Sequence, residues 1–126
     1  MSLTEADRTE IQDLYGRYGL LIDAGDADGW ADCFTEDGRM TVGDQFDFSG
    51  RDQLREFARS HHEGENSAMR HHITSTSVSA TGGGASGRSY ALVSLNGQVV
   101  AAMSYEDELV NDGGAWRFSK RAVTPQ

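Results

Sequence analysis

The feature that most constrains the fold is a change of period at Met69. From there to the C-terminus apolar and polar residues alternate at a spacing of two, and turn signals divide the run into four long strands. The dividers are Gly82 to Gly87, Asn96-Gly97 and Asn111-Asp112-Gly113-Gly114. Asn96-Gly97 is the strongest, because both central residues of a type I′ hairpin turn need positive φ. Four strands joined in this way make an antiparallel meander.

Before Met69 the period is helical. Thr4 with Glu5, Asp7 and Glu10 opens a helix, Ile11, Leu14, Tyr15, Tyr18 and Ile22 form its buried face, and Gly25 ends it. Asp26 caps a second, short helix with Trp30, Cys33 and Phe34 on one face, and Glu36-Asp37-Gly38 turns the chain out of it. Met40 and Val42, then Phe46 and Phe48, alternate as two short strands about Gly43-Asp44. Ser49 with Asp52 resembles a capping box for a third helix aligning Leu54, Phe57, Ala58 and His61, and Glu63 to Ser67 reads as a polar loop.

This order predicts a single α+β domain over residues 1–126, three N-terminal helices packed on a curved, mostly antiparallel sheet. Such a sheet coils, and helices on its concave side leave an open-ended cone with an apolar cavity for a small molecule. In the hairpin about Asn96-Gly97, Val93, Leu95, Val100 and Ala102 are expected on the face opposite Leu92, Val99, Ala101 and Met103. Both faces are then apolar, which predicts a homo-oligomer, dimer or trimer, formed through the sheet.

A formal charge of −9 and a pI near 4.7 repel a phosphate backbone or an anionic membrane, so neither nucleic acid nor membrane is expected as a partner. The N-terminus has no basic start, and no run approaches the roughly 18 apolar residues of a membrane span. With Cys33 as its single cysteine, the chain fits a reducing cytoplasm.

Asp23 stands out because it occupies the last turn of the first helix, where carbonyl ends disfavour a carboxylate by about 0.3–1 kcal/mol. Its helical row runs back through Gly19, Gly16 and Gln12, so the wall beneath it is nearly bare. Two readings stand side by side, a solvated acid beside a glycine cap and an acid for which space is kept. His71 and His72 are adjacent on a strand and point to opposite faces. Met69, His71 and Ile73 share the apolar parity, which selects His71 as the inward imidazole. It is either a core histidine or a functional one. Tyr18 and Tyr15 lie on the buried helix face with the same ambiguity. The pairs His61-His62 and His71-His72 lack the Cys or carboxylate spacing of a recognised metal site, and no metal is expected. The Gly82 to Gly87 stretch has neither the following Lys-Ser or Lys-Thr nor the helix of a phosphate cradle.

The run Ile11-Gln12-Asp13-Leu14-Tyr15, then Tyr18, Asp23, Asp26, Trp30, Phe34, Asp37-Gly38 and Gly50, followed by Arg70-His71-His72, resembles the SnoaL-like branch of the nuclear transport factor 2-like superfamily. That branch includes scytalone dehydratase, hexachlorocyclohexane dehydrochlorinase and bile acid 7α-dehydratase. The resemblance implies the nuclear transport factor 2-like cone and a catalytic set of Asp23, His71 and Tyr18; Tyr15, Trp30, Phe34, Phe57 and Met103 are expected to line the substrate. It implies a lyase or isomerase that abstracts a proton from a small apolar cyclic molecule with no metal or organic cofactor. A second catalytic histidine found in scytalone dehydratase has no counterpart between Arg88 and Asn96. The same fold also serves as a ligand carrier or as the small structural subunit of ring-hydroxylating dioxygenases, which is the alternative.

Overall fold

A computed structural model describes residues 2–126. The helices are α1 (Glu5–Ala24), α2 (Ala27–Ala31) and α3 (Arg51–His61), and the strands are β1 (Phe34–Val42), β2 (Phe46–Ser49), β3 (Met69–Ala80), β4 (Ala85–Leu95), β5 (Gln98–Asp112) and β6 (Ala115–Pro125). Thr4 and Asp7 start α1 with a reciprocal capping box, the Thr4 hydroxyl accepting from the Asp7 amide at 3.0 Å and the Asp7 carboxylate from the Thr4 amide at 2.9 Å. Gly25, at φ 75°, ends it in the left-handed conformation. Ile11, Leu14, Tyr15, Tyr18 and Ile22 are buried, as their spacing requires. Asp26 caps α2 by accepting from the Gly29 amide at 2.9 Å.

The six strands form one sheet in the order β2-β1-β6-β5-β4-β3. All neighbours are antiparallel except β1 and β6. The ends do not meet, so β2 and β3 are free edges and the sheet stays open, an α+β cone of the nuclear transport factor 2-like kind. Register slips occur in β3 between Thr74 and Ser77, where Ser75 has φ 58°, in β5 against β4, and in β6 against β5. Each extra residue bends a strand and adds local twist, which curls the sheet around the helices. The enclosed core is aromatic: Trp30, Phe34 and Phe118 have no exposed surface, and Tyr15, Tyr105 and Trp116 have almost none.

Four local expectations need correction. β1 begins at Phe34, which pairs with Phe118 of β6 rather than ending a helix face, and Glu36-Asp37-Gly38 lies within the irregular part of β1. The N-cap of α3 is Gly50 with no side-chain cap; Ser49 donates its amide to Gln53 Oε1 instead, so Ser49 and Asp52 form no box. The segment Gly64–Ala68 is a 3₁₀ helix rather than a plain loop. In the hairpin at Asn96-Gly97, with φ of 52° and 83°, a two-residue turn alone would set Val93 opposite Val100; one extra residue in β5 sets it opposite Ala101 instead. Val93 continues the inward alternation of Ser89 and Ala91 in β4 and is buried, while Tyr90, Leu92 and Val100 are exposed. Among the described residues no helix is long and apolar enough to cross a membrane.

Candidate functional site

The last turn of α1 runs against the start of β3. Asp23 accepts the His71 amide at 2.9 Å through Oδ2, and its Oδ1 lies 2.7 Å from His71 Nδ1. The two side chains keep only 11% and 10% of their surface exposed. A carboxylate can only accept, so Nδ1 carries the proton of this bond and Nε2 is left as the free basic nitrogen. The backbone contact matters as much as the ring contact, because it fixes the acid to the strand that carries the imidazole.

Close approach of helix and strand makes this possible. A Cβ at Gly19 would stand 2.8 Å from Ile73 Cδ1 and 3.4 Å from the His71 carbonyl oxygen. Gly19 thus supplies the space that the bare helical row foretold. Gly16 does not, since a Cβ there meets nothing within 4 Å.

His71 opens into a cavity of about 210 Å³ whose wall includes Tyr18, Ile22, Met40, Phe57, Met103 and His61. A larger hollow of about 380 Å³ on the sheet, lined by Arg88, Glu106, Glu108 and Lys120 among others, is a charged surface groove away from the dyad. We take the smaller, apolar cavity as the site, because only there does a paired acid and imidazole face enclosed space.

Tyr18 is buried in the cavity wall, its ring 5.4 Å from that of Trp30 and 5.9 Å from that of Tyr105. Burial raises its phenol above the usual tyrosine range, so it is kept as a donor. Its hydroxyl donates to the Met40 thioether, 3.7 Å away, a weak acceptor. Phe57 and Met103 also line the cavity. Tyr15, Trp30 and Phe34, expected in the wall, lie outside it. Trp30 and Phe34 pack against each other at 5.2 Å and fill the space behind Tyr18. The Tyr15 hydroxyl is drawn away by Asp107, to which it donates at 2.6 Å.

Asp107 belongs to a group that sequence reasoning missed. Arg121 grips it with two hydrogen bonds of 2.7 and 2.8 Å, and neither side chain has any exposed surface. The guanidinium lies 3.9 Å from the Tyr105 ring centroid, 4.2 Å from that of Phe118 and 4.3 Å from that of Tyr18. Burial works against its charge, but Asp107 outweighs this and holds the guanidinium well above its ordinary range. The signal was present in the sequence: opposite charges sit directly across from each other on β5 and β6, in the parity otherwise taken by Tyr105, Leu109 and Val123. His61, also missed as a site residue, brings its ring 5.5 Å from that of His71. Burial first, then the neighbouring His71, lower its pKa. Among the described residues no cluster of three or more metal-ligating side chains occurs.

The profile of the SnoaL-like domain matches residues 4–122. No curated protein matches. Among solved structures, a protein of unknown function from Mycobacterium tuberculosis, Rv3472, is 34% identical over 96% of this chain and 72% of its own, with a TM-score of 0.88. A candidate scytalone dehydratase from Novosphingobium aromaticivorans is 19% identical over 96% of this chain and 85% of its own, with a TM-score of 0.84. LinA is 21% identical over 96% of this chain and 86% of its own, with a TM-score of 0.81. At such identities the last two carry the fold alone.

Proposed function

The chain belongs to the SnoaL-like family, and on that footing we propose that it is a lyase or isomerase of the dehydratase type, acting on a small apolar cyclic molecule by proton abstraction without a cofactor. The observation that carries this reading is the contact of Asp23 with His71 at the wall of an apolar cavity. His71 Nε2 takes a proton from carbon next to an acidifying group. Asp23 keeps the ring in the required tautomer and stabilises the imidazolium that forms. Tyr18, weakly engaged by Met40, donates to the carbonyl or departing oxygen on which negative charge grows. Elimination of water or halide, double-bond isomerisation and ring closure share this first step. A cavity of about 210 Å³ lies below the roughly 300–1,000 Å³ common for ligand sites, which favours one or two rings over a steroid-sized skeleton.

The test is incubation with a panel of small cyclic ketones and halides in D₂O, read by mass spectrometry. Proton abstraction registers as deuterium uptake or loss of water or halide whichever product follows. His71→Ala should lower that rate at least ~100-fold while ligand still binds. Equal rates in the two proteins, or no reaction across the panel, contradict the proposal.

A second reading, an assembly subunit without turnover, draws on the outer face of β4 and β5, where Tyr90 is 55%, Leu92 40% and Val100 52% exposed. A partner copy covering this face is the proposed homo-oligomer. In that case Leu92→Glu with Val100→Glu should reduce the mass measured by light scattering to that of one chain, and His71→Ala should leave it unchanged.

A further inference from the structure

α3 ends on a histidine that the proton transfer does not use. The His61 ring is part of the cavity wall and stacks on Phe57, 5.7 Å away and inclined by 30°. Its Nε2 is buried and has no hydrogen-bond partner among the described residues. Native interiors seldom leave such a nitrogen unsatisfied unless water or a ligand completes it. Burial and His71 both disfavour the charged ring, so His61 offers one donor and one acceptor nitrogen. Around it the wall is mainly aliphatic and aromatic, with Tyr18, Tyr105 and His71 as its other residues bearing polar groups.

We infer that His61 is a second polar contact for the substrate, its imidazole hydrogen-bonding a hydroxyl or carbonyl oxygen on a one- or two-ring molecule whose reacting carbon faces His71. The inference rests on the proposed function for the placement of the reacting carbon, but not for the contact itself. With the ring centroids 5.5 Å apart, the oxygen held by His61 and the carbon that gives up its proton to His71 can sit on the same ring. The substrate class is therefore an oxygenated monocycle or bicycle rather than a pure hydrocarbon or halocarbon.

Two isosteric probes test this, 2-naphthol and 2-methylnaphthalene, which exchange a hydroxyl for a methyl. Their Kd values are measured by fluorescence titration on the wild type, His61→Leu and His61→Gln. The preference for the hydroxyl, taken as the ratio of the two constants, should fall about fivefold or more in His61→Leu, and His61→Gln should restore part of it. Should His61→Leu fail to fold, ring ¹⁵N spectra of the wild type decide: the His61 nitrogens should shift with 2-naphthol and not with 2-methylnaphthalene. An unchanged ratio in folded His61→Leu, His61 signals indifferent to the hydroxyl, or failure of both probes to bind overturns the inference. His71→Ala should keep the ratio while losing deuterium uptake, which separates the failure of this contact from failure of the proton transfer.

Discussion

Replacing Asp107 by alanine isolates the strongest electrostatic commitment in the core. The change strips Arg121 of both its carboxylate bonds, at 2.7 and 2.8 Å, in a place where neither side chain touches solvent. Removing one partner of a buried pair typically costs about 3–5 kcal/mol, because the remaining charge is left without compensation. The Tyr15 hydroxyl loses its acceptor as well, adding about 1 kcal/mol. The rings around the guanidinium persist in the variant and offset about 2 kcal/mol at most. A net loss of about 3 kcal/mol is large against a domain stability of about 5–15 kcal/mol. With a urea m-value of about 1–3 kcal/mol/M, the unfolding midpoint should fall by at least about 1 M. Asp107→Leu combined with Arg121→Met removes both charges and should recover most of the deficit. A single substitution that costs less than about 1 kcal/mol, or a double variant as unstable as the sum of its parts, refutes the reasoning.

The two interior glycines of α1 should behave oppositely. Gly16→Ala, which meets nothing within 4 Å, should raise stability by about 0.5–1 kcal/mol in urea denaturation. Gly19→Val collides with Ile73 and the His71 carbonyl, and should lower both stability and the rate of the proposed reaction by parting Asp23 from His71. His61 should make the fold acid-sensitive. Its folded pKa is lowered, so the unfolded chain binds the proton more readily, and stability should decline as pH falls through the ordinary histidine value near 6.5 and below. His61→Gln should remove that part of the pH dependence measured by thermal melts, and a wild-type profile identical to the variant's contradicts it.

How much of this was legible follows from which forces act locally. The capping of α1 by Thr4 and Asp7, its stop at Gly25 and the hairpin at Asn96-Gly97 are written in neighbouring residues, and the period change at Met69 separates helices from meander. The inward choice of His71 over His72 followed from strand parity alone. What failed was nonlocal. Phe34 became the first residue of a strand because Phe118 pairs with it, and no neighbour in sequence announces that partner. Val93 faces inward by the plain alternation of β4, whereas Val100 lost its place opposite Val93 to Ala101 because of one extra residue in β5, an event invisible to a count of alternation. Tyr15, Trp30 and Phe34 share an apolar character with the cavity wall, and only packing sorts core aromatics from lining ones. The pairing of Asp107 with Arg121 was readable as two charges out of parity, but only once β5 and β6 were known to be aligned.

The central claim is that Asp23 dictates the state of the His71 ring, and ring ¹⁵N spectra of the substrate-free protein test it most directly. Nδ1 of His71 should carry a proton and Nε2 none, and that fixed pattern should be lost in Asp23→Ala. A proton found on Nε2, or a His71 signal that ignores the removal of Asp23, contradicts it.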